Sequence, residues 1–412
     1  MEHNPVLSVP AKSSAYLYFL FALCFTGGMF GAVSATLMPS YLPVAMKDIG
    51  GSITQGENDS IGAIINSVFL FGMMFGGILL GIFGDRFGRK ASVVQSILFI
   101  GLFTVLTSFF SGWIPIAVCR FLAGFGTGGV LVTTPILIAE EWSDKNRTKA
   151  LGILSVCFPV GIFSTGLITY YIADWRSGFL TGLIPLMIAV LSHFTLSESE
   201  KWKQINSAQN NQREKKISIF DASTIRDLLT GSLIYGAMLI GLWAVLAWLP
   251  AWVQTIIRNS DGQKERGVSM MIFALSGLAG GIISGWVSKG LGTKKTMYLC
   301  FAATFILSFI LFRLTATLTI FTYFEIAFIS LFFGISQGVL NVYIPELFPI
   351  VVRSSATGFC FNICRIFTAS VVFFVGWLVQ VLDGYGNALF IFSFIFVIGF
   401  IVNIFTKEKD LI

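Results

Sequence analysis

Apolar residues run through this chain in long blocks, not in short alternations. Between Ala15 and Phe405 twelve such blocks follow one another, at 16–38, 61–83, 91–110, 114–139, 150–172, 177–196, 229–256, 268–288, 296–312, 320–343, 355–379 and 388–405, separated by polar or Gly/Pro-containing breaks. A helix rising 1.5 Å per residue needs about 20 apolar residues to cross the hydrocarbon core of a bilayer, and the blocks have that scale. Lipid offers no partner to an open sheet edge or an irregular segment. The pattern therefore predicts an all-α membrane protein with twelve transmembrane helices.

Composition agrees: 55% of residues are hydrophobic and 12% charged, with a mean hydropathy of +0.82. An even number of spans puts both termini on one side. Assigning that side to the cytoplasm leaves 19 of the 27 Lys+Arg in cytoplasmic segments, six in outer loops (Lys47, Arg176, Arg258, Lys264, Arg266 and Arg313) and two within helices, Arg120 and Arg365. The excess of basic residues inside fixes the orientation. The net charge of +6 is then a topology signal and no sign of nucleic-acid binding. The polar segment Met1–Ser14 leads into a first helix with no small-residue cleavage site behind it, which reads as a retained span.

The longest hydrophilic interior stretch, Glu198 to Arg226, separates six spans from six and predicts a cytoplasmic linker at 198–228 between halves 1–197 and 229–412. The halves repeat one another. Gly76-Gly77-Ile78-Leu79-Leu80-Gly81, followed by Gly84-Asp85-Arg86-Phe87-Gly88-Arg89-Lys90, returns 204 residues later as Gly280-Gly281-Ile282-Ile283-Ser284-Gly285 and Ser288-Lys289-Gly290-Leu291-Gly292-Thr293-Lys294. At an offset of 206, Glu140 and Arg147 match Glu346 and Arg353. Internal repeats of this kind are characteristic of secondary transporters.

Several chemistries are excluded. Gly124 to Gly129, "GFGTGG", satisfies GxGxxG, but it lies inside an apolar helix with no strand before it and reads as a close helix–helix contact. No GxxxxGK[ST] is present, so no nucleotide-driven cycle is expected of this chain, and no cofactor is implied. The two histidines, His3 and His193, belong to no acidic or metal-ligating cluster, so the chain does not read as an enzyme. Six cysteines (Cys24, Cys119, Cys157, Cys300, Cys360 and Cys364) fall in or beside spans without a CxxC and read as packing residues.

Three ionisable side chains stand well within the predicted spans: Arg120, Glu325 and Arg365. A charge at the bilayer centre costs about 2.5–3.5 kcal/mol on insertion scales, so each should face a cavity or a partner. Arg120 and Glu325 fall in the outer third. Arg365, about ten residues into its span, falls near the midplane, where binding sites lie between repeats. It is the predicted anchor for an anionic group, in bidentate geometry with a carboxylate. The other reading pairs it structurally with Glu325. Asn362, Gln337 and Asn341 are candidate hydrogen-bonding neighbours, and Tyr235, Trp243 and Trp248 are candidates to stack on a flat ring.

The motifs "GDRFGRK", "RFLAGFGTGG", "AEEWSDKNR", "DWRSGF", "ESEKW" and "PELFPIVVRSSATG" occur in the order seen in the major facilitator superfamily, and the chain resembles that superfamily throughout. Within it, "AWLPAW" and "YIPELFPIVVRSSATGF" are most similar to the metabolite:proton symporters of aromatic acids and nicotinate, relatives of the sugar porters. The resemblance implies two six-helix bundles rocking about a central site, a monomer, and a cytoplasmic gate formed by Asp85, Arg86, Gly88, Arg89, Glu140, Arg147, Glu346 and Arg353. It also implies an arginine at the place of Arg365.

The first span departs from the pattern. Relatives that couple transport to protons carry an aspartate there, whereas "FLFALCFTGGMFGAVSATLMPSYLP" contains no acid, leaving Glu325 as the expected proton site. The expectation is proton-coupled import of a small organic anion across a bacterial inner membrane. The alternatives are a sugar or polyol carrier, an exporter of drugs or of anionic metabolites such as siderophores, and a membrane sensor.

Overall fold

The computed structural model describes residues 13–50, 55–208, 224–257, 261–349 and 352–405. Twelve helices in it are long and apolar enough to cross a bilayer. In chain order, and numbered as spans 1 to 12, they are Ser14–Ile49, Gly56–Phe87, Arg89–Thr107, Trp113–Glu141, Asn146–Tyr171, Trp175–Thr195, Ile225–Ile256, Gln263–Leu291, Thr293–Leu314, Ile320–Glu346, Ala356–Val381 and Tyr385–Ile404. Every predicted block corresponds to one of them. The even number brings Ser14 and Ile404 to one face, the terminal face; the opposite one is the far face.

The largest difference in length is at span 1, which continues as helix through Pro39 and Pro43. A proline removes one intrahelical bond, and packing compensates for the loss. Tyr41 is fully buried and donates to the Ile172 carbonyl at 2.7 Å, while Asp48 accepts from Arg176 Nη2 at 2.9 Å and Trp175 Nε1 at 3.1 Å. The start of span 6 thus clamps the end of span 1. Asp174 caps that start: the Ser177 hydroxyl and the backbone N–H groups of Ser177 and Arg176 bind its carboxylate and hold its pKa below the usual range.

Several charged residues that the sequence had left outside the spans lie within them, and two of these are buried. Span 2 begins early enough to include Asp59, which is buried. Arg266, expected in an outer loop, is fully buried in the first turns of span 8. The hydropathy pattern missed both because polar residues at the ends of long helices lower the average there.

The internal repeat appears as two equivalent glycine seams. A Cβ on Gly76 would stand 1.8 Å from the Phe125 carbonyl oxygen, and one on Gly128 would stand 1.8 Å from that of Met73, so spans 2 and 4 touch backbone to backbone. Their repeat mates behave alike: Gly280 would meet the Leu331 oxygen at 2.1 Å and Gly334 that of Gly277 at 2.0 Å, joining spans 8 and 10. "GFGTGG" is thus a helix-packing stripe, as small residues permit in membranes. The turns repeat too. Gly88 (φ 113°) and Gly292 (φ 84°), 204 residues apart, both occupy backbone conformations that favour glycine. Two pseudo-symmetric six-helix bundles result.

The bundles meet through spans 2 and 11, 5 and 8, and 1 and 7, and hydrogen bonds between them cluster towards the far face. Gln380 donates to the Ser60 hydroxyl at 2.6 Å and Tyr385 to Asp59 at 2.6 Å. Gln263 donates to the Thr169 carbonyl at 2.8 Å and Arg266 to that of Ser40 at 3.1 Å. A Gly376 Cβ would stand 2.3 Å from Ala63. The far side is clasped.

Candidate functional site

A narrow cavity of about 10 Å³, room for about one water molecule, lies beneath the clasp. One bundle supplies Ala35 and Pro39 of span 1, Asn66, Phe69 and Leu70 of span 2, and Arg120 of span 4; the other supplies Trp243, Leu246 and Ala247 of span 7. The cavity is far smaller than the roughly 300–1,000 Å³ typical of pockets for drug-sized ligands.

Arg120 is the charged group in this wall and is fully buried. Its Nη2 donates to the Ser34 carbonyl and its Nη1 lies 3.4 Å from the Ser34 hydroxyl, which in turn pairs with Thr104 at 2.8 Å. The guanidinium stacks over Phe69 at 4.4 Å and lies 5.5 Å from the Phe179 ring centroid. Its Nε has no hydrogen-bond partner, and among the described residues no carboxylate acts on it. A buried cation is expected to have a counter-charge. Aromatic faces and one carbonyl take its place. The cavity also contains Asn66, 5% exposed, whose Nδ2 is unpartnered among the described residues.

Arg365 lies elsewhere. Half-buried on span 11, it crosses to the other bundle, where its Nη1 would lie 3.4 Å from a Cβ on Gly77. Gly77 and Asn66 are eleven residues apart on span 2, about 16 Å along the helix axis. The two arginines therefore stand at different levels, Arg120 beneath the clasp and Arg365 nearer the terminal face.

Around Arg365 the expected neighbours divide. Tyr235 is close enough for the guanidinium to act on its hydroxyl, but its ring is stacked on Phe361 at 4.3 Å. Gln337 is half-buried with an unpartnered Nε2, Asn341 is exposed, and the side chain of Asn362 lies outside the described residues. Of the three aromatic candidates on span 7, Trp243 lines the cavity, edge-on to Phe158 at 6.1 Å, whereas Trp248 is fully buried against Tyr385. Glu325 accepts from the Thr315 hydroxyl at 2.7 Å near the far-face end of span 10. This places it far from Arg365.

The expected gate residues collect at the terminal face. Arg89 bridges Asp85 and Glu140, the latter at 2.9 Å, tying the turn after span 2 to the end of span 4. Glu198 accepts from the Lys90 N–H at 3.1 Å at the start of span 3, where a helix N-terminus favours an anion. It packs so close to Gly88 that a Cβ there would stand 2.2 Å from its carboxylate. Trp202, on the linker helix Glu200–Ala208, donates to the Asp85 carbonyl at 2.9 Å. Arg86 is exposed, Arg147 and Glu346 are half-buried at the start of span 5 and the end of span 10, and Arg353 Nε donates to the Phe348 carbonyl at 3.2 Å. All six cysteines are free and buried, and among the described residues no cluster of potential metal ligands occurs.

Asn66, Asp59 and Arg266 were not anticipated at these buried positions. Asn66 did carry a signal: it is an amide within the apolar block 61–83.

Two bundles, a central cavity and glycine-bearing turns between spans 2 and 3 and between 8 and 9 define a membrane transporter of the major facilitator type. Residues 20–366 match the Major Facilitator Superfamily, and the chain belongs to it. It is 30% identical over 358 residues to the cis,cis-muconate transport protein of Acinetobacter baylyi, covering 84% of this chain and 85% of that one. It is 26% identical to a probable 4-methylmuconolactone transporter of Cupriavidus pinatubonensis, covering 86% and 82%. The fold is similar to a crystal structure of the D-xylose-proton symporter, with a TM-score of 0.80, 17% identity, and 96% and 99% coverage. It is also similar to the inward-open xylose transporter XylE from E. coli, with a TM-score of 0.77, 17% identity, and 96% and 97% coverage. The chain is a transporter, not an enzyme.

Proposed function

We propose that this chain carries a small organic acid, as its carboxylate, by alternating access of the bundles at 1–197 and 229–412, joined by the linker at 198–228. The observation that carries the reading is Arg120: a fully buried guanidinium on the central cavity with an unpartnered Nε and, among the described residues, no carboxylate acting on it. A carboxylate guest supplies the missing charge and acceptors together. The muconate and methylmuconolactone relatives support the same class. Arg365 is the second station, receiving the anion between the cavity and the terminal face, with Gln337 and Tyr235 near its level.

The terminal face is the cytoplasmic one by the distribution of Lys and Arg, in a bacterial inner membrane. The protein works as a monomer, importing with protons. Asp85, Arg86, Arg89, Glu140, Arg147, Glu346 and Arg353 set the balance of states at the terminal face. Glu325 and Asp59 carry the proton dependence. A sugar carrier is disfavoured because a neutral cargo leaves Arg120 uncompensated.

The test is uptake into proteoliposomes of labelled benzoate, nicotinate, cis,cis-muconate and a neutral hexose, with and without an inward proton gradient. Carboxylate uptake that depends on Arg120 supports the proposal, and a gradient-driven rate that collapses in Glu325→Gln or Asp59→Asn assigns the coupling. Hexose uptake indifferent to Arg120→Gln overturns it.

A further inference from the structure

We infer that Arg266, at the far-face end of span 8, is the entry contact for the cargo: the edge of its guanidinium that holds the closed clasp takes a carboxylate when the clasp opens. The inference rests on the carboxylate reading of the cargo. Arg266 is fully buried and reaches across to the other bundle, its Nε donating to the Ser40 carbonyl at 3.1 Å. Its Nη1 stays within its own bundle, donating to the Gln254 side chain and, at 2.8 Å, to the Asp261 carbonyl. Its Nη2 and the buried Ser40 hydroxyl have no partner among the described residues.

These contacts divide the guanidinium by bundle. When spans 1 and 8 part, Nη1 keeps Gln254 and Asp261, so the group stays oriented, while Nε loses Ser40. Nε and Nη2 share one edge of the guanidinium plane, a fork that matches a carboxylate in bidentate geometry. In the closed clasp one neutral carbonyl occupies half of that edge, and a buried donor left unpaired is costly. A carboxylate fills both places with charge-assisted bonds, which are the stronger kind. Anion and closed clasp therefore compete for one edge, and the cargo has to leave Arg266 before the far face shuts.

Arg266 and Arg120 donate to the same helix. Ser40 follows Pro39, which lines the cavity beneath the clasp, and six residues deeper on span 1 Arg120 donates to the Ser34 carbonyl. Six residues are about 9 Å of helix, a short step from mouth to centre. The carboxylates of Asp261 and Glu265 act on Arg266 through space, and that of Asp261 accepts from the Gln263 N–H at 3.1 Å. Their negative potential weakens an anion's hold on Arg266. That suits a contact on a transport route, where binding has to be weak enough to release.

The experiment follows labelling of a cysteine placed at Ser60 by a membrane-impermeant maleimide in proteoliposomes, with sodium benzoate or its neutral analogue benzamide on the far side. It is run in Arg120→Gln, which removes the central contact, and in Arg120→Gln combined with Arg266→Gln. In the first, benzoate is expected to raise the labelling rate about threefold or more by holding the clasp open, and benzamide to leave it unchanged. With Arg266→Gln added, labelling without benzoate should be faster, because the bond to Ser40 is gone, and benzoate should no longer alter it. Arg266→Lys, which keeps the charge and loses the fork, should retain part of the response and replaces the glutamine variant if that one folds poorly. A benzoate response that is absent, that slows labelling, that benzamide reproduces or that survives Arg266→Gln overturns this inference alone, since wild type can still import carboxylates. Wild type that imports none of benzoate, nicotinate and cis,cis-muconate overturns the carboxylate reading and this inference with it.

Discussion

Two arginines inside the membrane, Arg120 and Arg365, show what enclosure adds to depth. Arg365 is the deeper by count of residues, near the middle of its span, but it is half-buried and reaches across the bundle interface to Gly77. Arg120 is only seven residues into its own span, yet it is fully enclosed by Ser34, Phe69 and Phe179 and lines the cavity that both bundles build. Depth along one helix says how expensive a charge is. Which neighbours surround it says what the charge is for.

The largest effect should follow from removing the enclosed arginine. Arg120→Gln is expected to lower kcat/KM for carboxylate uptake by about 100-fold or more, since truncating one partner of a buried charge pair costs roughly 2–5 kcal/mol. Arg120→Lys should recover part of this, because an ammonium keeps the charge and loses the fork. Arg365→Gln should be milder, about tenfold, and should act on the rate of transfer more than on binding in the central cavity. Equal losses in both variants, measured side by side with a labelled acid, would dissolve the distinction between two stations.

Gly77→Val sharpens the comparison without touching either charge. The added methyls meet Arg365 Nη1 and the Gly128 carbonyl, so this variant should resemble Arg365→Gln with a loss of about tenfold or less and leave equilibrium binding at Arg120 close to wild type. Tyr385→Phe removes the hydrogen bond to Asp59 across the far face. At about 1–1.5 kcal/mol it should shift the population towards far-face-open forms by roughly fivefold to tenfold, read as labelling of a cysteine placed at Ser60. The smallest effect is expected at the terminal face, where Arg89→Gln removes one exposed and one half-buried ion pair. Such pairs contribute about 0–1 kcal/mol each, so transport should change by no more than severalfold.

Much of the fold was legible because membrane helices are a local property. A run of apolar residues long enough to cross lipid must be a helix whatever surrounds it, and all twelve runs are. The repeat was legible as well: offsets of 204 and 206 residues in the sequence return as the paired contacts Gly76 to Phe125 and Gly280 to Leu331. The candidate site was less so. Arg120 was found, but as an incidental charge, because nothing local shows that no carboxylate approaches it. Asp59 was missed because an average over a window blurs the end of a long helix, and Asn66 because an amide weighs little in a hydropathy sum.

By itself the sequence determined the number of spans, the glycine stripes that let helices touch, and the residues that could bear charge in lipid. Each follows from composition and spacing along one helix at a time. Only the tertiary structure decided that Arg120, Asn66 and Trp243 share a cavity, that Tyr235 spends its ring face on Phe361, that Glu325 hydrogen-bonds Thr315, and that the far face is clasped. Those facts depend on which helix lies beside which and at what rotation. Residues hundreds of positions apart carry no mark in the chain of the neighbours that packing gives them.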